Sequence, residues 1–406
     1  MNHHVSFKAT LDKEMWVPDA VEVLYTKLSE DTLLRAMLEE SLIAAHSHAR
    51  RQLSPILFEA LFWPESWQDY VNYAWEFSRW VPHQSTNPAW TEPGTDEQQE
   101  VYDHLCHFYY LIDQPVGPEE KRVQNDPWFS RWLIDYSNDW GAFLNTTESF
   151  NDVALKSFLE DSPQYRVQDS MIDGRPNNPS GWLTFNQFFA RELNPGLRPV
   201  SSPSDNTVIV SPADCTFRAQ YNISASSTVP EIRVKLTHKY ASIQDLLDGS
   251  PYGDCFANGK MVHYFLGPYS YHRFHTPVAG LLKECRAVQG LNYLQVNIDD
   301  GQFDAPDNSE GGYEFNQARG IVILDTSQSP CGDIGLVAVI PVGMAQVSSV
   351  NMTAQTGNIL EKGDEFGYFL FGGSDIIVLF QEGVDPEIFD GGQYRHYGTP
   401  IAKCFD

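Results

Sequence analysis

The sequence predicts an α+β protein, with a helical N-terminal domain over residues 1–165 followed by a β-rich domain over residues 166–406. Three observations carry this reading. All ten tryptophans lie between Trp16 and Trp182. The first 160 residues repeat apolar side chains at helical steps, whereas beyond about residue 200 short β-branched runs bounded by Gly, Pro, Asp and Asn take over.

Segment 19–46 places Ala20, Val23, Leu24, Leu28, Leu33, Leu34, Met37, Leu38, Leu42 and Ile43 three and four residues apart, the pattern of one amphipathic helix followed by another. Segments 54–63, 67–80, 98–112 and 127–144 read the same way. Ser54-Pro55 suits a cap and first turn, and Pro64, Pro82, Pro88 and Pro93 punctuate the joins. The aromatic stripes, and the pairs His46/His48 and His104/His107, read as packing or surface residues. Residues 162–181 are polar and rich in Pro and Gly, which suggests a linker. After it, TVIVSPA, KMVHYFL, GIVILDT, GLVAVIPVGMAQV and DIIVLFQ have strand lengths and strand composition. Ser211–Phe217 faintly echoes Thr276–Leu282, and 356–369 has a turn-strand-turn look, as in a quasi-repeated β-sandwich.

With 54 acidic and 27 basic residues the formal charge is −27, and 42% of residues are hydrophobic. Such a chain folds, but it lacks the clustered Lys and Arg that neutralise phosphates. Nucleic acid and anionic membrane surfaces are therefore disfavoured partners. The N-terminal MNHHVSFKATLDKEMW has no apolar signal core, and no run of about 18 apolar residues occurs, so neither export nor stable membrane insertion is expected. Six scattered cysteines without a CxxC pair read as reduced, buried thiols of a cytoplasmic protein.

Three segments carry residues suited to chemistry. Tyr271-His272-Arg273-Phe274-His275 holds two imidazoles three residues apart, with no third ligand at zinc-like spacing. Asp214, just after the apolar run ending Ser211-Pro212-Ala213, is either a turn residue or an acid that orients an imidazole. Phe371-Gly372-Gly373-Ser374-Asp375 interrupts an apolar strand with two glycines, as at a bulge or where the backbone is held open beside the Ser374 hydroxyl.

Taken together and in order, these segments resemble the phosphatidylserine decarboxylase family. Phe188-Phe189-Ala190-Arg191-Glu192-Leu193-Asn194-Pro195-Gly196-Leu197-Arg198-Pro199 and the stretch Lys235–Leu247 add to the resemblance, although Leu236 stands where the family usually has glycine. It covers about residues 182–385. It is nearest the soluble fungal branch with a long helical extension and Phe-Gly-Gly-Ser, the branch that includes the L-tryptophan decarboxylase of psilocybin biosynthesis. The β-rich half is thereby expected to be a decarboxylase-like catalytic domain. The resemblance implies self-cleavage between Gly373 and Ser374, with Ser374 becoming a pyruvoyl group and the C-terminal fragment staying as a partner. It assigns Asp214, His275 and Ser374 to the self-processing triad, with His275 as base and Asp214 fixing its tautomer. His272 is the proton donor, and the substrate amine forms a Schiff base. No pyridoxal phosphate and no metal are implied.

The substrate it implies is a small amino acid, aromatic and tryptophan-like, rather than phosphatidylserine. The two other readings are phosphatidylserine turnover and an unprocessed, non-catalytic homologue. Asp375 departs from the Thr or Ser that the family has after its serine, and three explanations stay open. Its carboxylate points away from the site, selects a cationic substrate, or alters the chemistry. The N-terminal domain could cap the site or form an oligomer interface, with packing on the catalytic domain as the plainest reading.

Overall fold

The computed structural model describes residues 19–92, 94–233, 240–305, 312–343, 349–372 and 374–404. Gly373, residues 235–239 of the Lys235–Leu247 stretch and the N-terminal segment through residue 18 lie outside the described residues. The chain divides into two compact units. The first runs to Gln164 and also takes Leu183–Phe185 and Tyr293–Pro306; the second holds Tyr165–Trp182, Asn186–Asn292 and the chain from Asp307 on.

The first unit is helical: α1 (Asp19–Glu30), α2 (Thr32–Gln52), α3 (Pro55–Ala60), α4 (Trp67–Phe77), α5 (Glu100–Tyr110), α6 (Pro127–Phe143) and α7 (Asp152–Lys156). Short polar residues start these helices. The Asp31 carboxylate accepts from the Leu33 and Leu34 amides, Ser66 and Asp69 form a reciprocal capping box, and Asp126 caps α6. Each such cap stabilises its helix by about 1 kcal/mol. On α2, Leu34, Leu38, Leu42, Ala45 and Ala49 turn inward, but Leu33 and Ile43 are exposed, as is Val23 of α1. The apolar stripe read from the sequence is therefore too wide, because only positions on the true helical period reach the core.

Tryptophans and tyrosines fill that core. Phe108 stacks on Tyr136 at 5.4 Å, Phe77 lies 5.1 Å from Trp140, and buried His107 accepts or donates at 3.1 Å with the Tyr73 hydroxyl. A hairpin of Asn297–Asp299 and Gln302–Asp304, expected with the β-rich half, belongs instead to this unit. Its Asp300-Gly301 turn takes positive φ at both residues, the geometry a tight hairpin needs. Gln124, Asp113 and the Tyr102 hydroxyl bond its flanking backbone at Leu294, Val296 and Ala305, and Gly301 accepts from the Ser54 amide.

The second unit is β-rich. Its principal strands are β1 (Val208–Val210), β2 (Cys215–Asn222), β3 (Lys260–Leu266), β4 (Arg273–His275), β5 (Gly280–Val288), β6 (Arg319–Asp325), β7 (Leu336–Gly343), β8 (Val350–Met352), β9 (Ile359–Leu360), β10 (Glu365–Phe369), β11 (Ser374–Phe380), β12 (Glu387–Ile388), β13 (Tyr394–Arg395) and β14 (Pro400–Lys403). The main sheet runs β9-β5-β6-β7-β11-β3-β2-β13, and two three-stranded sheets run β8-β10-β4 and β12-β14-β1. All of these pairings are antiparallel. Ile321, Ile323, Ala338, Ile340, Val342, Ile377 and Leu379 join one buried apolar cluster, each larger side chain contributing about 1.5–3 kcal/mol.

Of residues 162–181, read as a linker, the part from Tyr165 on is ordered into this unit by short helical turns and a hairpin of Met171–Ile172 with Arg175–Pro176. Its Asp173-Gly174 turn is again an Asp-Gly pair. Of the six thiols expected to be buried, Cys106, Cys215 and Cys404 are; Cys285 and Cys331 are half-buried and Cys255 is exposed, and all six are free.

Candidate active site

β11 fixes the serine. All seven of its residues are buried, and Ser374 opens it, opposite Gly343 of β7 and Leu266 of β3. The Ser374 Oγ is buried with no hydrogen-bond partner among the described residues. Gly372 holds φ 148°, a backbone setting that favours glycine, so the chain reaches the serine through a conformation a side chain would strain. The Phe371 amide donates to Asn186 Oδ1 at 3.3 Å, tying the approach down.

The two histidines flank β4. His272 is fully buried, with the Phe189 ring stacked 4.0 Å away and Phe189 in turn edge-on to Phe371 at 5.2 Å. Neither of its ring nitrogens has a well-formed hydrogen bond. Burial first, and then the Arg191 charge, lowers its pKa to about 3, so the resting imidazole is neutral. His275 is likewise neutral, its pKa lowered by burial to about 4.

His275 Nδ1 lies 2.9 Å from the Gly363 carbonyl and Nε2 lies 3.1 Å from the Tyr271 hydroxyl. A carbonyl only accepts, so Nδ1 carries the proton and the Nε2 lone pair takes the tyrosine O–H. Its ring also stacks on Tyr397 at 3.8 Å and 4°.

Asp214 is buried between β1 and β2, and its carboxylate is fully used. Arg198 Nη2 reaches Oδ2 at 2.9 Å, His396 Nδ1–H donates to Oδ2 at 2.9 Å, and the Tyr397 amide donates to Oδ1 at 2.8 Å. Burial alone would raise its pKa, but His396, Arg198 and the Tyr397 amide outweigh that and hold it below the ordinary carboxylate value. His396 Nε2 accepts from Arg166 at 3.1 Å, which is consistent with its proton lying on Nδ1.

The direct Asp214–His275 bond expected from the sequence is thus replaced. The Gly363 carbonyl sets the His275 tautomer, and Asp214 reaches His275 through Tyr397, whose amide it holds and whose ring covers the imidazole. No hydrogen bond joins His275 to Ser374 Oγ among the described residues. Gly363, His396 and Tyr397 had no role in the sequence reading and Tyr271 figured only as the first residue of its segment, since backbone carbonyls have no signature and 394–399 carries no motif.

Asp375 turns to the opposite face of β11 from Ser374, as strand alternation requires. Its Oδ2 accepts from the Tyr313 hydroxyl at 2.6 Å, and its Oδ1 lies 3.3 Å from His263 Nε2. Among the described residues no group of three or more His, Cys, Asp or Glu is arranged to hold a metal ion. A buried serine with a free hydroxyl, preceded by a glycine backbone and accompanied by two neutral imidazoles in the same unit, does suit a self-derived pyruvoyl group.

The family profile "Phosphatidylserine decarboxylase" matches residues 185–403, more than half of the chain. Phosphatidylserine decarboxylase proenzyme 2 of Oryza sativa subsp. japonica is 30% identical over 253 residues, 62% of this chain and 36% of that protein. Phosphatidylserine decarboxylase proenzyme 3 of Schizosaccharomyces pombe is 32% identical over 245 residues, 60% of this chain and 23% of its own length. Decarboxylase iboD of Amanita muscaria is 28% identical over 297 residues, 67% of this chain and 82% of that protein. The chain therefore spans about a third or less of the two proenzymes but most of iboD.

Proposed function

Because the chain belongs to the phosphatidylserine decarboxylase family, a family of pyruvoyl-dependent decarboxylases whose proenzymes carry a self-derived pyruvoyl group, we propose that it cuts itself between Gly373 and Ser374 and decarboxylates a small aromatic amino acid, tryptophan-like, to the amine. The observation that carries this is Ser374, buried at the head of an interior strand with its hydroxyl unpartnered among the described residues.

In the processing step Ser374 Oγ loses its proton and bonds to the Gly373 carbonyl carbon while the Gly373–Ser374 C–N bond breaks, giving an ester. Loss of the Ser374 α-proton then expels the Gly373 carboxylate, and hydrolysis of the dehydroalanine left behind releases ammonia. His275 is the base: Gly363 keeps its proton on Nδ1 and leaves the Nε2 lone pair, covered at rest by the Tyr271 O–H, to take the serine proton. Asp214 and Tyr397 hold that imidazole flat in place.

Once formed, the pyruvoyl group supplies the carbonyl that receives the substrate amine and draws off the electron pair left by CO2. His272 is neutral at rest, and a substrate carboxylate brought beside it favours its imidazolium. It takes up a proton as substrate binds and returns it to carbon after CO2 leaves.

The amino-acid substrate is supported by the net charge of −27, which an anionic bilayer repels. Among the described residues no helix is long and apolar enough to cross a membrane. Phosphatidylserine is the second reading, favoured by the names of the two proenzymes. Intact-protein mass spectrometry tests the processing: two fragments, 1–373 and 374–406, are expected from the wild type and one chain from Ser374→Ala. CO2 release from free L-tryptophan and other amino acids, measured beside phosphatidylserine vesicles, tests the substrate. An uncut wild type refutes the mechanism, and turnover on vesicles alone refutes the substrate.

A further inference from the structure

β11 carries only two polar side chains, and they are adjacent. Ser374 is the one assigned to chemistry. Asp375 is the other, wholly buried on the far face of the strand, where its neighbours Ile377 and Leu379 enter the apolar cluster. A carboxylate in such a place is costly unless it is paired. It is paired here. The Tyr313 hydroxyl donates to Oδ2 at 2.6 Å, His263 Nε2 lies 3.3 Å from Oδ1 without a well-formed hydrogen bond to it, and the Tyr313 hydroxyl lies 3.5 Å from the same His263 nitrogen. The three groups come from three places in the chain: β3, the short turn Tyr313–Phe315 and β11.

Resting on the self-cleavage proposed above, we infer that Asp375, His263 and Tyr313 form an anchor that holds the new chain end in register after the cut. Asp375 is thereby a positioning residue for the pyruvoyl carbonyl. Before cleavage, residue 374 is tethered on both sides. Afterwards it is the first residue of a chain, and chain ends fray unless tied down. Ladder bonds from β3 and β7 hold the backbone, but the serine side chain has been consumed. The next side chain, one residue on, is locked by two partners from outside the strand. This accounts for a carboxylate where the family has Thr or Ser, and it leaves no Asp375 oxygen directed at a cationic substrate.

The anchor matters only after the cut, and the test uses that. Cleavage by intact mass, kcat and KM, and hydrogen exchange of the peptide 374–380 are measured for the wild type, Asp375→Ser, Asp375→Asn and Tyr313→Phe. The exchange measurement is repeated for each variant on the Ser374→Ala background. Asp375→Ser is expected to cleave fully yet lose about tenfold or more in kcat, with KM nearly unchanged. The first strand amides should exchange about tenfold faster in the cleaved form and at the parent rate in the uncut form. Asp375→Asn, which still accepts from Tyr313, should recover most of both. Tyr313→Phe should give a smaller loss of the same kind, and it decides the matter if Asp375→Ser does not fold. Wild-type exchange and kcat in cleaved Asp375→Ser, or in cleaved Tyr313→Phe where that variant decides, overturn the anchor. So does faster exchange confined to the uncut form. An uncut wild type overturns the cleavage itself, visible by mass before any variant is made.

Discussion

Replacing Asp214 by Asn tests the network around His275, the proposed base, most directly. The substitution keeps an acceptor oxygen for the Tyr397 amide but removes the charge facing Arg198 and His396, and one of its two heads becomes a donor aimed at donors. Breaking a buried pair by changing one partner costs about 3–5 kcal/mol, and the retained Tyr397 bond places this variant near the lower end, about 3 kcal/mol. For a unit of this size each kcal/mol moves the melting temperature by about 2–4 °C, so a fall of about 6–12 °C is expected. Calorimetry on the Ser374→Ala background keeps every chain uncut. The pH dependence follows from the lowered pKa of Asp214. The folded state favours the anion, so its stabilisation is complete above the ordinary carboxylate pKa and is lost as pH falls through the lower folded value. The difference between parent and variant should therefore be full at neutral pH and shrink in strong acid. A variant melting within about 2 °C of its parent at pH 7 would refute the role given to this cluster.

Other consequences follow from the same geometry. The burial that lowers the His275 pKa to about 4 keeps the base neutral across the physiological range, so the cleavage rate of freshly translated chain should stay level from about pH 8 to pH 5.5 and halve near pH 4. A half-point near the ordinary histidine value of about 6.5 would show a solvated imidazole instead. Tyr271→Phe uncovers His275 Nε2 and should cost about 1 kcal/mol of stability while cleavage proceeds; a cleavage rate cut more than about tenfold would make the tyrosine an obligate proton carrier. Gly372→Ala places a side chain at φ 148° and should destabilise the uncut Ser374→Ala protein by about 1–3 kcal/mol in a denaturant titration. No change there would mean that the segment relaxes around a Cβ.

Elements with a strong local signal were legible in the sequence, and those defined by distant partners were not. The Ser54-Pro55 start announces its helix, and the Val-Ile-rich runs announce β3, β6, β7 and β11. The Asp300-Gly301 hairpin has an equally clear turn, but its membership of the helical unit depends on Gln124, Asp113 and Tyr102, some 170 to 200 residues away. The stretch 162–181 looked like a linker because its order comes from bonds such as the Asn194 amide to Asp169 and Arg191 to the Tyr165 carbonyl, which composition does not record. At the site, Asp214, His272, His275 and Ser374 are grouped because their motifs resemble a family, and the structure places all four, buried, in the second unit. What each of them touches was not legible, because Gly363 acts through its backbone and Tyr397 through the plane of its ring.

That last pair of contacts bears on when the chemistry can happen. Residues 374–406 include an interior strand of the main sheet, β11, paired along its length with both β7 and β3. They also include β13 and β14, which add to β2 and β1 on either side of Asp214. The imidazole that Asp214 binds, His396, and the ring that covers His275, Tyr397, both lie in the loop between β13 and β14. Asp214 and His275, the proposed acid and base, are therefore on one prospective fragment with Arg198, Tyr271 and Gly363, while His396 and Tyr397 are on the other. Until the last strands have paired, Asp214 lacks two of its three partners and His275, the proposed base, lacks its stacking ring. On the proposed mechanism, folding of the whole second unit therefore precedes the cut. After the cut, two full antiparallel ladders, rather than the lost peptide bond, keep the short fragment in place.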